Sequence, residues 1–396
     1  MSEARSGGTW KKWVLRLVKL AVCAGALWYL SGKVYWLDRV RLAEAPEQVL
    51  ALAAEREGAM TLRDPETHAE RTVSRDALAR PDQLQQGQRA VELGLRSIIK
   101  QADMGWSALA LLLIGPIVLI MAWRLRLLLD TQDISLSYRD SLLLTFAGNF
   151  FNFALPGTTG GDVYKAYHIA RRTHKRTEGV TVVLLDRVFG LVSFLLLAGV
   201  TIFFSWRHPM IGVYGRWVGY LMLGFLLCTA MFFSRRFRSL IRYDALIARL
   251  PFADKIRRID DTTLSLRYHR QDSLLSLAIT LFAHVLLVLS VYFLARGLGI
   301  HPSGSRTHVS MIAACLLATV VGYLLAAVPI SVQGFGLLEA VFAKVIVEGH
   351  WGTYSQMLAL TLGMRLLQII WALPGVVVPW LGFARPTTDV EMPSSP

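Results

Sequence analysis

The chain has 396 residues, 54% of them hydrophobic, and a formal net charge of +14, with a mean hydropathy of +0.44. A soluble domain is about 45–50% apolar; here the excess is gathered in runs of the length a bilayer needs, about 20 residues. That excludes a soluble enzyme and indicates an all-α, polytopic integral membrane protein. The positive charge sits in short loops that alternate along the chain, as cytoplasmic loops do, and nowhere joins stacking aromatics in a soluble module, which sets nucleic acid aside.

Lys11, Lys12, Arg16 and Lys19 flank an apolar run from Val14 to Leu30 that ends in Trp28-Tyr29-Leu30. A cleaved signal would show small residues at its end; an aromatic belt predicts an uncleaved anchor, with residues 1–32 forming a cytoplasmic N-terminus and the first span. Residues 33–105 are then an extracytoplasmic insertion. From Lys33 to Asp103 it carries eleven Lys/Arg against twelve Asp/Glu. Pro46 suits a helix first turn, with Val49, Leu50 and Leu52 as a modest apolar face. Leu62-Arg63-Asp64-Pro65 reads as a turn, and a second helix is expected over Gln83 to Gln101.

Trp106 to Leu129 is a span despite Pro116, and Trp123-Arg124-Leu125-Arg126 marks its cytoplasmic end. Leu142 to Leu155 is apolar but only about fourteen residues long, about 21 Å as a helix against a hydrocarbon core of about 30 Å. It stops at Pro156-Gly157-Thr158-Thr159-Gly160-Gly161-Asp162, and a short amphipathic arm, Val163 to Ala170, returns to the basic Arg171-Arg172-Thr173-His174-Lys175-Arg176. Both ends inside, with a break between, predict a re-entrant hairpin. Spans follow over Val180 to Trp206 and Trp217 to Phe233. The stretch Arg235 to Arg270, with ten Lys/Arg against four Asp/Glu, predicts cytoplasmic amphipathic helices on anionic headgroups, within a segment 235–272.

The pattern then recurs. After a span over Ser273 to Leu298, Met311 to Val328 is apolar and stops at Pro329-Ile330-Ser331-Val332-Gln333-Gly334-Phe335-Gly336. A short arm, Leu337 to Val347, returns to an outer linker that lacks a positive excess, and Ser355 to Leu381 is the last span. Residues 383–396 form a Pro/Ser/Thr-rich tail expected to be disordered. The transmembrane domain 106–382 thus holds two hairpins entering from opposite sides, an inverted repeat within a protein of about six spans. Interrupted hydrophobic segments at corresponding places in two halves point to a transporter's midplane site. The alternative is that each proline is only a kink.

Helices that begin inside the membrane carry unpaired N–H groups and a positive dipole end, ready for phosphate or carboxylate. Gly157, Gly160, Gly161, Gln333, Gly334 and Gly336 would form the breaks. Asp162 is a helix N-cap, a functional acid, or both; Lys165, one turn on, would neutralise Asp162 or meet a lipid phosphate. A charge at a helix centre costs about 2.5–3.5 kcal/mol, so Asp186 and Arg187 need partners: either they form a local ion-paired cluster, or Arg187 reaches a bound phosphate. Glu339 and Arg365 take the equivalent places in the second half and are functional candidates as intramembrane ionisable residues. Asn149, Asn152 and Gln333 read as helix–helix hydrogen-bonding groups, and His284 as a packing residue. Cys23, Cys228 and Cys315 lie far apart in apolar runs, so neither a disulfide nor a metal site is expected. His68 and Glu70 have no metal-ligand spacing. Walker A, HExxH and GxSxG signatures are lacking, and no cofactor is expected.

From Trp123-Arg124 through Asn152, Leu155-Pro156-Gly157, Gly160-Gly161-Asp162 and Asp186-Arg187-Val188-Phe189-Gly190-Leu191, the chain resembles the transmembrane domain of lysylphosphatidylglycerol synthase, a flippase-like family with stand-alone members. The second element, Pro329-Ile330-Ser331-Val332-Gln333-Gly334-Phe335-Gly336 then Glu339, is similar to the family's Pro-x-Ser-x-Gly-Gly-x-Gly…Glu motif. The resemblance covers about Trp106 to Leu381. Lys165 stands where arginine is usual, Gln333 replaces the first glycine of a pair, and Leu338 replaces a common arginine. The resemblance implies movement of a phospholipid or lipid-linked precursor between leaflets; the expected location is the plasma (inner) membrane, with both termini cytoplasmic. Phosphate would be held by Lys165, Arg187 and Arg365, with charge balance from Asp162, Asp186 and Glu339, between the two hairpin tips. No soluble synthase domain is expected, since none follows Leu381. The alternatives are a membrane-embedded enzyme or accessory subunit acting on lipid-linked substrates, and a scaffold for envelope-synthesis partners; a homo-oligomer is compatible with each.

Overall fold

A computed structural model describes residues 25, 32–56, 59–64, 68–84, 90–154, 160–204, 219–220, 223–224, 227, 239–240, 253–265, 268–302, 307–327 and 334–380. The expected spans Val14 to Leu30 and Trp217 to Phe233 fall almost wholly outside these residues, as do Gly157, Gln333, Cys23, Cys228 and the tail. The described chain is mainly helical, and five helices are long and apolar enough to cross a membrane. The chain divides into two units, Met1–Leu111 with Val288–Leu366, and Leu112–Leu287 with Leu367–Pro396.

The first unit begins with the insertion, and here expectation is corrected. Ala45–Arg56, which holds Pro46 and the supposed helix face, is a strand. It belongs to a five-stranded antiparallel sheet of β1 (Arg39–Leu42), β2 (Ala45–Arg56), β3 (Ala59–Arg63), β4 (Glu70–Ser74) and β5 (Val91–Glu92), ordered β4-β3-β2-β1-β5. The reason is period-two patterning, which puts alternate residues on one face. Val40 pairs with Leu50, Leu52 with Leu62 and Met60 with Val73, and these side chains form one apolar cluster. The second expected helix shrinks to α1 (Leu95–Lys100). The turn after β3 is closed by Asp64 N–H donating to the Ala69 carbonyl at 3.0 Å.

Gly94, before α1, donates its N–H to Asp38 Oδ1 at 2.7 Å, and a Cβ there would overlap the Leu37 backbone. Backbone cannot rotate aside as a side chain can. Gly94→Ala is therefore expected to lower the stability of the insertion by about 1–3 kcal/mol, read as earlier thermal loss of its β circular-dichroism signal. The insertion is tied to the membrane part by Lys33 Nζ donating to Tyr354 Oη at 3.2 Å and Tyr35 N–H to Ser355 Oγ at 3.3 Å.

Helix α2 (Met104–Asp130) starts under an Asp103 cap, whose Oδ1 accepts from Gly105 N–H at 2.8 Å. Helix α7 (Arg270–Gly297) runs alongside its beginning, with Ser290 Oγ donating to the Ala110 carbonyl at 2.8 Å and Trp106 stacked on Phe293. Helix α8 (His308–Ala327), the first arm of the second hairpin, is 20 residues long. That is about 30 Å, enough to cross, so this arm counts among the five candidate spans although a shorter one was expected. The return arm is α9 (Leu337–Phe342) and a π-helical turn, Ala343–Val347. It packs back along α8, where Gly322 leaves room for Leu338 and Phe342. The linker after it meets Ile300, just beyond α7, at Gly352, so this hairpin leaves from and returns to the end where α7 stops and α10 (Tyr354–Ala372) starts. A Thr353/Gln356 capping box, 3.1 and 3.2 Å, opens α10.

In the second unit the rest of α2 packs with α3 (Tyr138–Ala154), α4 (Gly160–Arg172) and α5 (Arg176–Phe204) around Leu125, Leu128, Leu129, Leu144, Ile169, Val182 and Val183. Helices α3 and α4 are 17 and 13 residues long, about 26 and 20 Å. Arg172, at the end of α4, reaches Asp140, in the first turn of α3, at 3.5 Å. Both arms of the first hairpin therefore end where α2 stops and α5 starts. The basic segment supplies α6 (Ala253–Ser265), an amphipathic helix as expected, held by Gln132 Nε2 donating to Ser265 Oγ at 2.7 Å.

Candidate functional site

In the first hairpin two glycines set the approach of the arms. A Cβ on Gly161 would overlap the Gly148 carbonyl oxygen, so α3 and α4 touch backbone to backbone. Gly161 N–H, one of the orphan donors of the helix start, is satisfied by Asn152 Oδ1 at 2.8 Å. Asn152 thus bonds between helices, as expected. Gly160 is the first residue of α4.

Asp162, in the first turn of α4, is paired with Arg187 of α5, which donates Nε to Oδ2. Lys165 is not its partner. The lysine stem lies across Gly148, where an added Cβ would come within 3.3 Å of its Cγ and Cδ and closer still to Cε, and the residue is only 8% exposed.

Asp186 and Arg187 part company. Successive residues on a helix point about 100° apart, and Asp186 faces Arg124 of α2. Arg124 Nε donates to Asp186 Oδ1 at 2.8 Å, Nη2 to the Asp186 carbonyl at 3.2 Å and Nη1 to Thr280 Oγ1 of α7 at 2.8 Å. One guanidinium fork joins three helices. Asp186 belongs to a paired cluster; Arg124 lies six residues from the end of its helix, about 9 Å. Arg124 is the residue the sequence reading passed over as a side marker. The available signal was that an arginine inside an apolar run needs a partner as much as Asp186 does.

The second hairpin repeats the acid-to-arginine arrangement. Glu339, in the first turn of α9 and 1% exposed, accepts on Oε1 from Arg365 Nε at 3.3 Å and Nη2 at 3.0 Å. Its Oε2 accepts from Gly336 N–H at 2.7 Å, so the carboxylate caps its own helix start. Gly334 and Gly336 have φ of +71° and +84°, a region glycine enters without Cβ strain. The Arg365 guanidinium lies 3.7 Å from the Phe335 ring centroid, a cation–π contact. The acid and its arginine are 25 residues apart in the first half and 26 in the second. In both cases the acid opens the return arm and the arginine sits on the next long helix.

His284 stacks on Phe194 at 3.7 Å and shares a 2.9 Å hydrogen bond with Ser193, a packing role. Cys315 is a buried free thiol. Among the described residues no cluster of His, Cys, Asp and Glu could hold a metal.

The duplicated hairpin, each half latched by an acid and an arginine from the following span, matches the order of the motifs quoted above. The family model for the lysylphosphatidylglycerol synthase TM region matches residues 94–375. The chain belongs to that family. No curated protein matches it, and no solved structure does. It is thus a multi-pass membrane protein of a family tied to lipid-related processes. The match begins at Gly94, after the last strand of the sheet, so the β insertion lies outside the family region.

Proposed function

We infer that this member of the lysylphosphatidylglycerol synthase TM family carries a phospholipid or lipid-linked precursor between leaflets. The observation that bears most weight is the repeated latch, Asp162 with Arg187 and Glu339 with Arg365. Helix breaks at membrane depth are tolerated only where protein or a water-filled cavity covers them, and charged groups there mark substrate paths by default. Each latch fixes a return-arm N-terminus where a headgroup phosphate is favoured. Acids held by arginines are poorly placed for acid–base work, which favours a carrier over an enzyme on lipid-linked substrates. On this reading the protein lies in the plasma (inner) membrane, its termini are cytoplasmic and the β insertion is outside.

The test is a proteoliposome assay in which a fluorescent lipid in the outer leaflet is bleached by an impermeant reductant. Protein-containing vesicles are expected to expose the inner-leaflet pool, and empty vesicles to keep it protected. Equal protection with and without protein, across several headgroups, overturns the carrier. Glu339→Gln is expected to slow the exchange about tenfold or more, because it loosens the second latch.

A further inference from the structure

We propose that Lys165 is the anion seat of the first hairpin and that it selects a lipid whose headgroup carries net negative charge, through a single phosphodiester; this rests on the carrier reading. The two acids singled out as its possible counter-charges are committed. Asp162 is held by Arg187 and Asp186 by Arg124. Lys165 is more than nine-tenths buried, and among the described residues its ammonium has no hydrogen-bond or ion-pair partner.

The stem is buried, while the ammonium at its end is not among the fully buried polar atoms and has no anion beside it among the described residues, so the local charge is one negative short and a ligand can supply it. The position of that charge follows from helix geometry. Lys165 is the sixth residue of α4, and helical side chains lean toward the N-terminus. The ammonium therefore approaches the start of α4, where the dipole also favours an anion. Gly148 on the facing arm leaves the stem its path.

The same bookkeeping disfavours a zwitterionic head. Its phosphate would suit Lys165, but its own ammonium would need a carboxylate, and Asp162 and Asp186 are both occupied by arginines. A net-anionic head such as phosphatidylglycerol brings the phosphate alone, with hydroxyls that need only weak partners.

Two measurements test the seat. In phosphatidylcholine vesicles, labelled phosphatidylglycerol is expected to cross about tenfold faster than labelled phosphatidylcholine, the effect of one charge-assisted contact. Lys165→Met is expected to erase that preference and Lys165→Arg to keep it. Equal rates for the two lipids in a wild type that does move lipid, or an intact preference in Lys165→Met, overturn the proposal. The wild-type comparison alone decides if Lys165→Met does not fold. The second measurement is lipid retention by the purified protein in native mass spectrometry, which needs no transport. Phosphatidylglycerol kept over phosphatidylcholine by the wild type and not by Lys165→Met supports the seat even if no lipid crosses, in which case only the carrier reading falls. Failure to retain it overturns the seat. Glycerol 3-phosphate in excess is expected not to displace the lipid; displacement would make the ligand a soluble phosphate and overturn the lipid assignment.

Discussion

Arg365→Ala is expected to be among the most damaging single substitutions in the described chain, lowering stability by about 3–5 kcal/mol. Glu339 is 1% exposed and takes two of its three observed hydrogen bonds from Arg365. Removing the guanidinium strands a carboxylate where water does not reach, and also strips the Phe335 ring of its cation. Glu339→Gln should do less harm, because an amide oxygen can still accept from Gly336 N–H, although Arg365 then loses the carboxylate of this pair. A paired replacement, Glu339→Leu with Arg365→Met, removes both charges together and is expected to recover most of the loss, since a buried ion pair and a well-packed apolar pair are often close in free energy. Thermal unfolding in nanodiscs gives the order. An Arg365→Ala protein within about 0.5 kcal/mol of wild type, the range of ordinary surface changes, would mean that the pair does not hold the hairpin. The double variant then separates two roles. If it is folded and still moves lipid, the latch is structural only; if it is folded and inactive, the charges themselves take part in carrying the headgroup.

The hairpins were legible because their signal is local. An apolar run that stops at prolines and glycines and returns to a basic or neutral linker can be read from one strand of text. The Glu339–Arg365 and Asp162–Arg187 latches were half legible: each member stood out as a charge in an apolar run, but which acid met which base did not. Lys165 lies closer in sequence to Asp162 than Arg187 does, yet the backbone contact of Gly161 with Gly148 turns its stem along α3. The Asp186–Arg124 pair spans 62 residues, and nothing local announces a partner on another helix. The insertion was misread for a different reason. Its Ala-, Glu- and Arg-rich text has the propensities of a helix, while the deciding information is alternation: Val40 and Leu42, Leu50 and Leu52, Met60 and Leu62. Propensity is a weak prior that cross-strand packing overrides. The length of α8 was underestimated because its first turn, His308-Val309-Ser310, is polar enough to read as loop.

Three glycine-to-alanine changes should have three different outcomes, and the differences come from what each new methyl meets. At Gly190, on α5, a Cβ meets nothing within 4 Å, so alanine should hold or raise stability by up to about 1 kcal/mol through helix propensity. At Gly161 the methyl overlaps a carbonyl oxygen of the facing helix. The arms must part, the 2.8 Å bond to Asn152 is lost and Asp162 is drawn off Arg187, for an expected loss of about 2–4 kcal/mol from overpacking and the broken hydrogen bond. At Gly148 the methyl meets Cε, Cδ and Cγ of the Lys165 stem, a side chain that can rotate off its path where backbone could not. Gly148→Ala should therefore fold nearly as well as wild type while carrying lipid with a blunted headgroup preference, because Lys165 no longer lies along its path. Unfolding midpoints for the three proteins, set beside their phosphatidylglycerol-to-phosphatidylcholine rate ratios, read stability and selectivity separately. A Gly161→Ala protein as stable as Gly190→Ala would show that the two arms do not meet at their backbones, and the seat built on that contact would lose its frame.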